Sequence, residues 1–91
     1  MYELRAINSG LALDVNGESM AEGAKMDQYS YRGGASQQYI LSLAGDGNYR
    51  IVNSNSGLAV EVPGFSTSNG TVLDQWRLNG GTNQEWMLQA P

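Results

Sequence analysis

The 91-residue sequence holds neither histidine nor cysteine, so the commonest general base and the thiol nucleophile are both missing. Its reactive groups are carboxylates and aromatic rings. Asp14 and Asp27 make one acidic pair, and Glu61 and Asp74 make another. Two carboxyl groups are what hydrolysis of a glycosidic bond needs, one as acid and one as base or nucleophile. Spacing alone leaves that chemistry open. A catalytic acid must be held partly buried to keep its proton, however, and strand alternation puts these groups on half-exposed faces. No enzyme activity is therefore expected. Asp14, Asn16 and Glu18 alternate as calcium ligands might, but an EF-hand loop needs Gly at its sixth position and Glu at its twelfth. Ser19 and Lys25 stand there. Neither a metal nor another cofactor is expected.

The segments that must position these groups occur twice. Shifted by 47 residues, the chain matches itself without gaps, and 16 of the 41 pairs from Tyr2 to Ser42 are identical. Asn8-Ser9-Gly10-Leu11-Ala12 falls on Asn55-Ser56-Gly57-Leu58-Ala59, Asp27-Gln28 on Asp74-Gln75, and Gly33-Gly34 on Gly80-Gly81. A period of this length marks a repeat architecture. Each copy reads as four short strands: Tyr2 to Ile7, Leu11 to Val15, Lys25 to Tyr29 and Gln38 to Ser42. Their counterparts are Tyr49 to Asn53, Leu58 to Val62, Val72 to Trp76 and Glu85 to Gln89. Alternation places Asp27 with Tyr29, and Asp74 with Trp76, on one strand face. Gly17 and Gly64 are expected in turns that need positive φ. No stretch sustains a period of 3.6, so little helix is expected.

Composition narrows the class further. Twelve glycines with many Asn, Ser and Thr residues between short apolar runs have the texture of an all-β chain. A net charge of −4, with five scattered basic residues, argues against a nucleic-acid partner. No apolar run approaches the roughly 20 residues of a membrane span, so no membrane insertion is expected.

Ser9-Gly10-Leu11-Ala12-Leu13-Asp14-Val15, the aromatic at Tyr29 or Trp76, the Gly-Gly pair, and Gln84-Glu85-Trp86 resemble the ricin B-type lectin repeat. Its Gln-x-Trp signature appears in the first copy as Gln37-Gln38-Tyr39. The resemblance covers almost the whole chain and implies a single lectin domain over 1–91, with repeats at 2–48 and 49–91. It implies a β-trefoil, in which three four-strand repeats close a short barrel capped at one end. Only two repeats are present, which would leave sheet edges open. The expectation is a homo-oligomer, a trimer first, in which six repeats complete two trefoils; otherwise the chain is part of a longer protein.

The resemblance also implies the ligand and the site. A metal-free, multivalent lectin is expected, with galactose-type glycans first and xylan-type polysaccharides next, in a secreted or cell-surface setting. The alternatives are a protein-binding trefoil with decayed sugar sites, or a targeting module cut from a glycoside hydrolase. By position, the second repeat would hold sugar with Glu61, Asp74, Trp76, Asn83 and Gln84. The first would use Asp14, Asp27, Tyr29 and Gln37, with Ser36 where Asn is usual. Tyr29 and Trp76 are expected as exposed stacking rings, Tyr39 and Trp86 as core, and Gln37 and Gln84 as loop supports before ligand contacts.

Overall fold

A computed structural model of the chain describes residues 1–45 and 47–89. Among the described residues it is all-β, with six strands: β1 (Ala12–Val15), β2 (Met26–Tyr29), β3 (Tyr39–Leu43), β4 (Tyr49–Asn53), β5 (Ala59–Glu61) and β6 (Asp74–Trp76). β1 and β2 pair with each other, and β3-β4-β5-β6 form an antiparallel sheet. Four single 3-10 turns lie between or after them, at Asn16–Glu18, Ala35–Gln37, Pro63–Phe65 and Thr82–Gln84. Among the described residues there is no longer helix. Strands and turns recur at the 47-residue spacing, so β1 and β2 are echoed by β5 and β6.

Two expected strands are not continuous. Tyr2 to Ile7 is reduced to bridges at Tyr2, which exchanges 2.8 Å backbone bonds with Tyr39, and at Arg5 opposite Ala12. Glu85 to Gln89 is reduced to one bridge between Trp86 and Tyr49. The cause is the missing neighbour. β4 is flanked by β3 on one side and by β5 and Trp86 on the other, whereas each terminal segment has one flank only. A strand with one partner loses half its ladder and exposes its apolar side chains. Ile7 is 99% exposed and Met87 69%.

The core is small: Val15, Met26, Tyr39 and Val60, with Leu4, Leu13, Ala24, Ile51, Leu73 and Trp86 packed around them. Tyr39 and Trp86 do the same work with different chemistry. The Tyr39 hydroxyl donates to the Leu13 carbonyl (3.2 Å), and Trp86 Nε1 donates to the carbonyl of Val60, the equivalent residue (3.1 Å). Each ring, Tyr39 buried and Trp86 partly so, thus satisfies its polar atom on the strand it covers.

After β1 and β5 the chain turns through two successive left-handed residues, Gly17-Glu18 (φ 66° and 57°) and Gly64-Phe65 (φ 63° and 55°). A Cβ at either glycine would meet nothing within 4 Å. The requirement is therefore conformational, not spatial. Gly64→Ala is expected to cost about 1 kcal/mol through its left-handed backbone, read as a lowered melting temperature. The device has a use: it turns Glu18 and Phe65 to the rims of two clefts.

Candidate functional site

Each repeat builds one cleft where a strand pair meets a 3-10 turn. Pairing of β5 with β6 sets Glu61 opposite Asp74, and pairing of β1 with β2 sets Asp14 opposite Asp27. The second cleft, about 270 Å³, is lined by Glu61, Asp74, Trp76 and Asn83 together with Pro63, Gly64, Phe65 and Asn79. The first, about 300 Å³, is lined by Asp14, Asp27 and Tyr29 together with Asn16, Gly17, Glu18 and Arg32. Seven of the nine residues singled out from the sequence line a cleft; the other two stand behind the acids, Gln84 bonded to Glu61 and Gln37 beside Asp14.

One expectation is corrected here. The acids do not lie on half-exposed faces: Asp14, Glu61 and Asp74 are buried, and Asp27 is partly so. Strand alternation treats the faces of a pair as open, yet each 3-10 turn folds back over the acidic face and covers it. Burial, with the Glu61 carboxyl beside it, pushes Asp74 up to about 6 against the pull of Lys25. Burial and then Asp27 push Asp14 up to about 6, opposed by Arg32 and Gln37. These are desolvated acids facing like charges. Asp14 Oδ1, Asp27 Oδ1, Asp74 Oδ1 and Asn83 Oδ1 are buried and accept no hydrogen bond.

Gln37 and Gln84 are fully buried supports. Gln84 Nε2 donates to the Arg77 carbonyl (2.8 Å), while its Oε1 accepts from Asn79 N (3.1 Å). Gln37 makes the same clamp, donating to the Ser30 carbonyl (2.9 Å) and accepting from Arg32 N (2.7 Å). Both hold the glycine-rich loop that carries the cleft wall. Gln84 Nε2 also reaches Glu61 Oε1 (3.1 Å), as does Asn83 Nδ2 (3.2 Å). Glutamate and asparagine therefore belong together: the longer acid meets the longer amide. In the first repeat Asp14 is shorter, and Ser36 supplies no amide.

The aromatic rings stand at the mouths, Trp76 37% and Tyr29 52% exposed. They differ in their neighbours. The Arg32 guanidinium lies 4.8 Å over the Tyr29 ring, with its Nη2 3.8 Å from Asp14 and 3.6 Å from Glu18. Asn79 occupies the equivalent place beside Trp76, so that ring has no such cation. A Cβ at Gly81 would fall 2.8 Å from Phe65 Cζ, so the Phe65 ring packs closely over that loop. Sequence reasoning missed Arg32, Asn79 and Phe65. Their signal lay in mismatches between the copies, 32 against 79 and 18 against 65, rather than in the identities.

The family model for the ricin-type β-trefoil lectin domain-like family matches residues 1–76 and again 44–91. No curated protein sequence matches the chain. Among solved structures it is similar to the designed threefold-symmetric protein ThreeFoil, with 46% identity and a TM-score of 0.93 over 94% of this chain and 61% of that one. It is also similar to an exo-β-1,3-galactanase from Clostridium thermocellum, at 38% identity and TM-score 0.90 over 93% of this chain and 18% of that enzyme. A lectin from Polyporus squamosus, bound to a human-type influenza-binding epitope, gives 26% identity and a TM-score of 0.79 over 94% of this chain and 30% of the lectin. The chain spans less than two thirds of each of these proteins. The repeats, the strand pairing and the matches agree: the chain belongs to the ricin-type β-trefoil lectin domain-like family and folds as a partial β-trefoil of two repeats.

Proposed function

We propose that the chain is a non-catalytic carbohydrate-binding lectin that takes galactose-type glycans without a metal, chiefly in the second cleft. The observation that carries this reading is the uncommitted Asp74 Oδ1 beside the exposed Trp76 ring. A carboxylate oxygen accepts from a sugar hydroxyl in a charge-assisted bond, and the ring covers the C–H face of the pyranose. Glu61 is already held by Asn83 and Gln84 and shapes the floor. Structural likeness to a galactanase and to a lectin supports the ligand class. The first cleft is the weaker one, because a sugar that stacks on Tyr29 competes with Arg32 for the ring.

Burial restores one property of a catalytic acid, yet the arrangement does not suit hydrolysis. Asp14 stands directly opposite Asp27, and Glu61 opposite Asp74, on paired strands. Acids set side by side across a strand pair do not bracket a glycosidic bond, which needs one on each side of it, about 5–9.5 Å apart.

Titration with methyl β-galactoside, followed by isothermal calorimetry, tests the proposal. Ring stacking contributes on the order of 1–3 kcal/mol, so Trp76→Ala should weaken binding roughly 10- to 100-fold. A chain silent on a glycan array would instead favour a trefoil used for protein contact.

A further inference from the structure

The two repeats meet at a joint that shows what the open side of the molecule lacks. Gln75, on β6, is fully buried there. Ser56 Oγ donates to its Oε1 (2.8 Å), and its Nε2 donates to the carbonyls of Ser19 and Ala21 in the first repeat (both 3.0 Å). Backbone bonds run alongside, Gly23 N to the Gln75 carbonyl (2.7 Å) and Gln75 N to the Ala24 carbonyl (3.1 Å). This brings the loop 19–24 against the Trp76 ring, whose Cζ3 is 3.6 Å from where a Cβ at Gly23 would stand. The stacking ring of the second cleft is therefore braced by the other repeat.

The first repeat presents the same fitting without its counterpart. Gln28 aligns with Gln75, and Ser9 Oγ donates to its Oε1 (2.9 Å) as Ser56 does in the second copy. Gln28 is exposed, and among the described residues its Nε2 donates to no acceptor. It lines a largely apolar groove of about 270 Å³ together with Leu4, Arg5, Ala6, Leu11 and Leu13. The matching loop, 66–71, is already shaped. Ser68 N donates to Ser66 Oγ (3.2 Å) just as Ala21 N donates to Ser19 Oγ (3.1 Å), and Gly70 and Gly23 share φ 83°. Both halves of a joint are present, on opposite ends of one chain.

We infer that the Gln28 face is the docking surface for the second repeat of another copy, whose loop 66–71 completes the wall of the Tyr29 cleft. By equivalence, Gln28 Nε2 donates to the carbonyls of Ser66 and Ser68 of the second copy, and Gly70 of that copy braces Tyr29. The correspondence is incomplete at the far end. Ala6 and Ile7 stand where Asn53 and Ser54 bond to the carbonyls of Ser36 and Ala35, so that part is held by backbone pairing and by covering Ile7. Both repeats of a chain already face each other, so a chain that fills the gap in another must part its own two repeats. The closed set is three chains: two intact, and a third giving its second repeat to one and its first repeat, with loop 19–24 in the place of 66–71, to the other.

The claim about Tyr29 rests on the glycan reading; the docking itself does not. The test is sedimentation equilibrium of the full chain at tens of micromolar, beside Gln28→Glu and Ile7→Glu. Each variant is then titrated with methyl β-galactoside, with the Trp76 response read by fluorescence. Gln28→Glu turns a donor into a carboxylate aimed at two carbonyls, at a residue exposed in the single chain. Expected are a trimer of 9.8 kDa chains for the parent and a loss of assembly of at least tenfold in both variants, with the Trp76 response retained. A monomeric parent overturns the inference, as does a Gln28→Glu chain that assembles like the parent. A trimer that shows no response to galactoside sinks the glycan reading alone and leaves the docking surface standing.

Discussion

Asp74→Asn is expected to abolish sugar binding in the second cleft while making the protein more stable at pH 8. Asp74 is buried opposite Glu61, and its proton is held up to about 6 by burial first and by that neighbour second. The folded chain therefore binds this proton more tightly than the unfolded chain, whose carboxyl titrates near the ordinary 3.8. A group raised in this way contributes full stability below about 4 and loses it as pH rises through about 6. Two units correspond to about 3 kcal/mol at most. At pH 8 the asparagine should recover about 1–3 kcal/mol of that, several degrees in melting temperature for a chain of this size. At pH 4 the two proteins should melt alike. Thermal melts at the two pH values, at one protein concentration, check the stability half. Equal gains at pH 4 and pH 8 would show that the charge is not the cause. Galactoside affinity of the parent should fall as pH drops through 6, because the protonated acid is a weaker acceptor.

Gln84→Ala should have the largest effect on folding. The side chain is fully buried and closes three contacts, to Glu61 Oε1, the Arg77 carbonyl and Asn79 N. Truncation leaves a backbone donor, a backbone acceptor and part of a buried carboxylate unsatisfied. Each such group costs about 1–3 kcal/mol, so a loss of about 3–5 kcal/mol is expected. That is a large share of a total margin of about 5–15 kcal/mol. Urea denaturation measures this, and an unfolding free energy within 1 kcal/mol of the parent would refute the role. Gln84→Glu offers no remedy. It keeps the acceptor for Asn79 N but sets a second carboxylate against Glu61.

Much of this was legible in the sequence because the repeat supplies its own control. The shared Leu11-Ala12 and Leu58-Ala59, the Asp-Gln pairs and the glycines located β1, β2, β5 and β6 and the residues around both clefts. The terminal strands were not legible in the same way. Tyr2 to Ile7 carries the same pattern as a paired strand would, and alternation cannot report that a neighbour is missing. Nor could alternation see that the 3-10 turns bury Asp14, Glu61 and Asp74, since that depends on the Gln37 and Gln84 clamps pulling each loop inward. Arg32 and Phe65 escaped notice because differences between the copies were weighed only at positions of the lectin motif, and 32, 79 and 65 lie outside it. The differences at 18 and 65, 32 and 79, and 36 and 83 all fall at the clefts, where two copies of one scaffold can diverge without harm to the core.

The Gln75 joint has a direction. A loop of the earlier repeat always caps a strand of the later one, so the chain has a head and a tail that fit each other and not themselves. A dimer related by a two-fold axis would set like against like and satisfy neither end. Contacts of this polarity close only when the rotation per unit returns to its start, as three repeats do. The chain that supplies the missing repeats must open to do so. A linker between residues 43 and 49 too short or too stiff to let it open would leave every chain single, and mass would stay at 9.8 kDa at every concentration.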